Sequence, residues 1–201
     1  MRDNKDTGAQ EPQQGLRKYE KLLLVLIFGA VFGMLELFGR DALRAAGVEH
    51  KSALLYGIGI IILYASKRVV HFRGSVVIMV LIASLFKSAS GNFYPCQVAA
   101  VMINGVVFDI AYSTFKGRLD SSLLQRTLAA TVIVYVSYAA FAILAAFVLR
   151  EGTWGTDGWA GVRSYLFTGA IAASLISMVT IHLGYYLGNA IRPLVRLRKL
   201  A

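Results

Sequence analysis

An all-α, polytopic membrane protein, a six-transmembrane-helix bundle with both termini cytoplasmic, is the fold class this sequence predicts, on three observations. The chain is 57% hydrophobic and only 16% charged over 201 residues, with a mean hydropathy of +0.60, too little charge to cover a soluble surface of that size. The apolar residues fall in six continuous stretches, 22–38, 53–66, 74–86, 94–115, 127–149 and 164–191. Continuous runs predict helices rather than the alternating strands of a barrel, the other structure that satisfies backbone polar groups in lipid. Lysines and arginines crowd alternate gaps: fifteen lie in the N-terminal tail, the second and fourth gaps and the C-terminal tail, against six in the remaining gaps. The excess of cations on the cytoplasmic side of membrane proteins then places both termini there, in a cell (cytoplasmic) membrane.

Residues 1–16, rich in Asp, Gln and Gly, read as a disordered cytoplasmic tail, 17–193 as the membrane domain and 194–201 as a basic cytoplasmic tail. The first apolar stretch follows a polar lead and lacks a small-residue cleavage site, which predicts a retained helix and no cleaved signal. It runs outward and carries Glu36 near its outer end. Gly29 and Gly33 form a small-xxx-small step on it, which serves either packing inside the bundle or an open face for a partner subunit. The second and third stretches are short for a span of about 17–25 residues. They cross only if Lys67, Arg68, Arg73 and Lys87 snorkel to the interface; otherwise they form a re-entrant pair.

The fourth stretch opens on Tyr94-Pro95, proline being suited to a helix first turn. Gln97 and Asn104, seven residues apart, share one of its faces. Asp109 lies about 140° round from Asn104 and nearer the cytoplasm, where a salt bridge or helix-packing bond is the expected role. Of the hydroxyls on the last two helices, Tyr138 and Tyr165 lie in the outer halves, in reach of an outside ligand. His182 reads as a packing residue. Between these helices, Glu151–Arg163 reads as an outer loop holding Trp154 and Trp159, which are expected to act as interfacial anchors rather than ligand-stacking rings.

Ionisable groups inside a membrane segment are functional candidates. Glu36 has two open readings: a partner for Arg40 one turn later, or a carboxylate at the mouth of an outward pocket. Lys87 could reach headgroups, Glu36 or an anionic substrate. With Asn92, Gln97 and Asn104 these form the candidate substrate-binding set, joined by Tyr138 and Tyr165. The sequence holds no Walker, HExxH, GxSxG or CxxC motif and only scattered histidines, so neither an enzyme, a cofactor nor a metal site is expected. The net charge of +10 belongs to the membrane surface and not to nucleic acid, since no basic run is interleaved with aromatics.

Several short motifs resemble an uncharacterised branch of the substrate-binding S components of energy-coupling factor transporters: Phe32-Gly33-Met34-Leu35-Glu36 with Gly39, Arg73-Gly74-Ser75, Leu85-Phe86-Lys87-Ser88, and Asn104-Gly105-Val106-Val107-Phe108-Asp109. Phe32 stands where that branch has tryptophan, and Asn104 where it has an acid. The resemblance covers most of 22–115 and extends to the last two helices only in hydropathy. It implies a subunit that captures a vitamin-like small molecule or metal species from outside and passes it to a coupling membrane subunit driven by an ATPase pair. Gly29 and Gly33 would dock on that subunit. A stand-alone proton-coupled transporter or channel, relaying through Glu36 and Asp109, and a non-transporting scaffold subunit are the alternatives.

Overall fold

A computed structural model describes residues 18–89, 94–150 and 153–197, all as helices and short connections. Among these described residues seven α-helices follow one another: α1 Lys18–Ala45, α2 Lys51–Val70, α3 Ser75–Ala89, α4 Pro95–Ser121, α5 Leu123–Ile143, α6 Thr153–Tyr165 and α7 Ile171–Leu197. A π-helical turn, Leu144–Leu149, ends α5, and a second, Leu166–Ala170, joins α6 to α7. Among the described residues five segments are long and apolar enough to cross a membrane: Lys18–Ala45, Lys51–Val70, Pro95–Phe115, Leu123–Leu149 and Trp154–Val195. The protein is a multi-pass membrane protein. With 20 residues, α2 has the length the sequence pattern denied it. The 15 residues of α3 rise only about 22 Å, less than a hydrocarbon core of about 30 Å.

Local chemistry sets the breaks. The turn from α2 to α3 passes through His71 at φ 57° and Gly74 at φ 82°, left-handed positions of which the second suits glycine. Ser122, extended between α4 and α5, accepts a hydrogen bond from the Gln125 N–H and so caps α5. Pro95 takes the first turn of α4, as expected from its missing donor.

The stretch Glu151–Arg163 departs from the predicted loop. From Thr153 it is helical, broken by Gly158 at φ 49°, ψ −127°. Its apolar content is low for a span, and helix formation here rests on packing against the end of α5 instead. At the other extreme α7 continues past Pro193 to Leu197, so helix takes in the start of the stretch read as a tail.

Side-chain contacts fix the helix directions. Gly29 and Gly33 of α1 meet Met79 and Ala83 of α3 in ascending order, so these helices run parallel. Gly184 and Gly188 of α7 meet Tyr64 and Arg68 of α2 in the same sense. Small residues let both pairs approach closely. A Cβ on Gly29 would lie 2.8 Å from Ile82 Cδ1, and one on Gly33 would lie 3.0 Å from Phe86 Cγ. This corrects the docking assignment: α3 already occupies the glycine face of α1, which is not open to a partner. The exposed face of α1 is instead a row of large apolar residues that includes Leu22, Leu26 and Phe38, as lipid or a protein partner in lipid requires.

Candidate functional site

Where α1 and α3 end and α2 and α4 begin, the bundle opens into a cavity of about 780 Å³. It has two unlike walls. On one side, α1 contributes Glu36 and α3 contributes Lys87, joined at 2.7 Å with both side chains 10% exposed. The parallel packing of α1 and α3 through the two glycines brings the acid and the amine to the same height. Glu36 therefore pairs across helices with Lys87 and not along its own helix with Arg40, which is exposed at the rim. Gln97 and Asn104 of α4, both half-buried, line the cavity beside this pair.

The facing wall is aromatic. Tyr56 of α2 donates to Ser137 Oγ at 3.3 Å and meets the Tyr138 ring edge-on at 5.5 Å between centroids. Tyr138 stacks on Tyr165 at 5.1 Å. Trp154 meets Tyr165 at 5.0 Å and Phe141 at 5.8 Å, both edge-to-face. Such pairs hold one another in place and present flat faces and hydroxyl edges. The rim carries Arg40, Arg44 and Lys51 with Asp41 and Glu49, a mixed-sign border. Chemically, the arrangement can bury the flat apolar body of a small molecule and fix its orientation through a few polar groups, as small-molecule pockets do.

The structure therefore assembles Glu36, Lys87, Gln97, Asn104, Tyr138 and Tyr165 around one cavity; Asn92 lies outside the described residues. Tyr56, Phe141 and Trp154 were missed by sequence reading. The two tryptophans divide. Trp159 is 58% exposed against Phe147, in keeping with an anchor, whereas Trp154 is turned into the cavity wall. Tyr56 carried no signal in the sequence; its place at the cavity follows from the burial of α2 along most of its length. The position of Trp154 depended on α6 being helical, which its composition did not announce.

The opposite end of the bundle is polar but packed. Lys67 and Asp109 form a buried ion pair, 2% and 9% exposed. Lys67 also donates to the Phe72 carbonyl at 2.8 Å, and Asp109 accepts from the Gly74 N–H at 2.7 Å. The salt bridge expected of Asp109 is present, and it ties the α2–α3 turn to α4. Close by, Arg68 pairs with Asp120 at 2.8 Å and donates to Asn189 at 2.6 Å. His182 shares a 2.9 Å hydrogen bond with Thr127. Among the described residues no cluster of histidine, cysteine and acidic side chains could hold a metal ion.

Comparison with known proteins finds no matching family, no matching curated protein and no matching solved structure.

Proposed function

We propose that this protein captures a small molecule on the outer side of a cell membrane and delivers it to a coupling membrane subunit and its ATPase pair, as the resemblance to S components implies. The observation that carries this reading is the cavity, which joins an aromatic wall to the Glu36–Lys87 pair, Gln97 and Asn104. Orientation follows from charge. Lys67 and Arg68 at the end of α2 and Arg126 at the start of α5 fall at the end away from the cavity, and that end is cytoplasmic by the charge rule. In this reading α3 completes a sixth crossing by burying its flanks, and both termini are cytoplasmic. The protein alone binds and does not pump; ligand specificity rests on the polar wall and affinity on the aromatic one.

A proton relay through Glu36 and Asp109 has less support. Asp109 is locked by Lys67 and Gly74 N–H at the opposite end, and its bonds are those of a packing residue.

The deciding experiment is a thermal-shift screen of the purified protein in detergent against vitamins, vitamin precursors and metal species. One compound should raise the melting temperature in a saturable manner, and Glu36→Gln should abolish the shift. A complete panel without a hit, or liposome uptake by the chain alone without any ATPase, overturns the proposal.

A further inference from the structure

The buried polar side of the cavity carries no net charge. Glu36 and Lys87 cancel one another at 2.7 Å, each 10% exposed, and beside them stand two uncharged carboxamides, Gln97 and Asn104. The other charged lining residues belong to the mouth: Arg40, Asp41, Arg44 and Glu49 are exposed and Lys51 is half-buried, and water screens such groups. An ion gains little from a carboxylate already held by an ammonium unless it breaks the pair, and breaking a buried pair strands a charge. A metal ion would have to displace Lys87 from Glu36; an organic acid would have to displace Glu36 from Lys87. An uncharged ligand leaves the pair intact.

What these groups can recognise is an edge of mixed polarity. A carboxylate accepts, an ammonium donates, and a carboxamide does both. They also lie at two depths. Gly105, next to Asn104 on α4, packs on Val80 of α3, which precedes Lys87 on that helix by a rise of about 10 Å. Asn104 therefore lies below the ion pair, toward the floor of the cavity, and polar groups at both levels suit a ligand of more than one ring. The interlocked rings of Tyr138, Tyr165, Trp154 and Phe141 give such a body a surface to stack on. At the floor, residue 104 decides the charge of the site: an acid there would make the interior negative without touching the pair.

Resting on the capture reading, we infer that the occupant is an uncharged, planar, fused-ring heterocycle whose edge carries both hydrogen-bond donors and acceptors, and that Asn104 sets the requirement for zero charge. The ring system lies along the aromatic wall, and its edge meets the Glu36–Lys87 pair near the mouth and Asn104 at the floor. Metal ions and organic acids are excluded by the same pairing that admits the neutral ring.

The test titrates the full chain in neutral detergent with matched probes and follows thermal unfolding. The neutral probes are quinolin-2-one and 6-methylpterin; quinoline-2-carboxylate is the anion, 1-methylquinolinium the cation, L-tryptophan the zwitterion and cobalt(II) the metal. A neutral probe should raise the melting temperature in a saturable manner, and the charged probes should bind roughly tenfold or more weaker. Asn104→Asp should reverse the order, with 1-methylquinolinium gaining roughly tenfold or more and the neutral probes losing. Asn104→Leu should weaken the neutral probes with no gain for either ion. A charged probe or cobalt(II) bound as tightly as the neutral ones by the native chain overturns the ligand class and leaves the capture reading standing. Asn104→Asp without a gain for the cation removes Asn104 as the determinant. No shift from any probe, neutral or charged, overturns the ligand class and counts against capture itself.

Discussion

Two buried lysine–carboxylate pairs, Lys87–Glu36 and Lys67–Asp109, have the same chemistry and opposite surroundings. In the second, every neighbour is protein: a carbonyl accepts from the lysine, a backbone N–H serves the acid, and the pair fastens the α2–α3 turn to α4. In the first, the pair borders a cavity whose remaining walls are amides and aromatic rings. An intramembrane charge is therefore no guide to function by itself. What separates the two cases is whether the pair is surrounded by packed protein or borders open space.

The comparison breaks most readily at Lys67. Lys67→Ala strands a buried carboxylate and should destabilise the protein by about 3–5 kcal/mol, whereas replacing both partners by apolar residues, Lys67→Met with Asp109→Leu, should recover much of that loss. Thermal unfolding in detergent reads both; equal destabilisation by single and double variants would refute a purely structural role. Next comes packing. Gly29→Leu forces a side chain into Ile82 and Met79 and should cost about 1–3 kcal/mol, whether or not a partner subunit is present. An unchanged melting temperature combined with lost uptake would restore the docking role that α3 now excludes.

Smaller stability effects are expected at the cavity. Glu36→Gln keeps a hydrogen-bonding group beside Lys87 next to open space, so the fold should lose about 1 kcal/mol while ligand binding falls at least tenfold. A loss matching that of Lys67→Ala would make the two pairs equivalent and remove Glu36 from the site. The finest discrimination is between the tryptophans: Trp154→Ala should reduce ligand affinity and Trp159→Ala should leave it unchanged, as measured by titration with whichever compound the thermal screen identifies. Equal effects would mean that the aromatic wall is not a ligand surface.

Much of the candidate site was legible because polar residues in an apolar segment are conspicuous. Glu36 and Asn104 interrupt apolar runs, Lys87 and Gln97 stand near the ends of such runs, and each lines the cavity. The aromatic wall was less legible. Tyr56, Phe141 and Trp154 are residue types that lipid, core and ligand all accept, so their identity carries no direction. The partner of Glu36 was equally open: Arg40 is near in sequence, but Lys87 is near in space. Arg126 entered only as one cation in a tally of sides; that it is buried against the Tyr185 ring is invisible to composition.

Periodic solvent preference decides which residues enter lipid, and it acts on each segment separately. Hence the helical class, the apolar stretches and the charge asymmetry between alternate gaps were determined by the chain alone. Close approach between segments depends on which small residues face which neighbour, and that is a property of pairs of helices. The closure of the Gly29–Gly33 face by α3, the helical course of α6 that carries Trp154 into the cavity, and the division of two chemically alike ion pairs into a packed one and an open one were decided by tertiary structure.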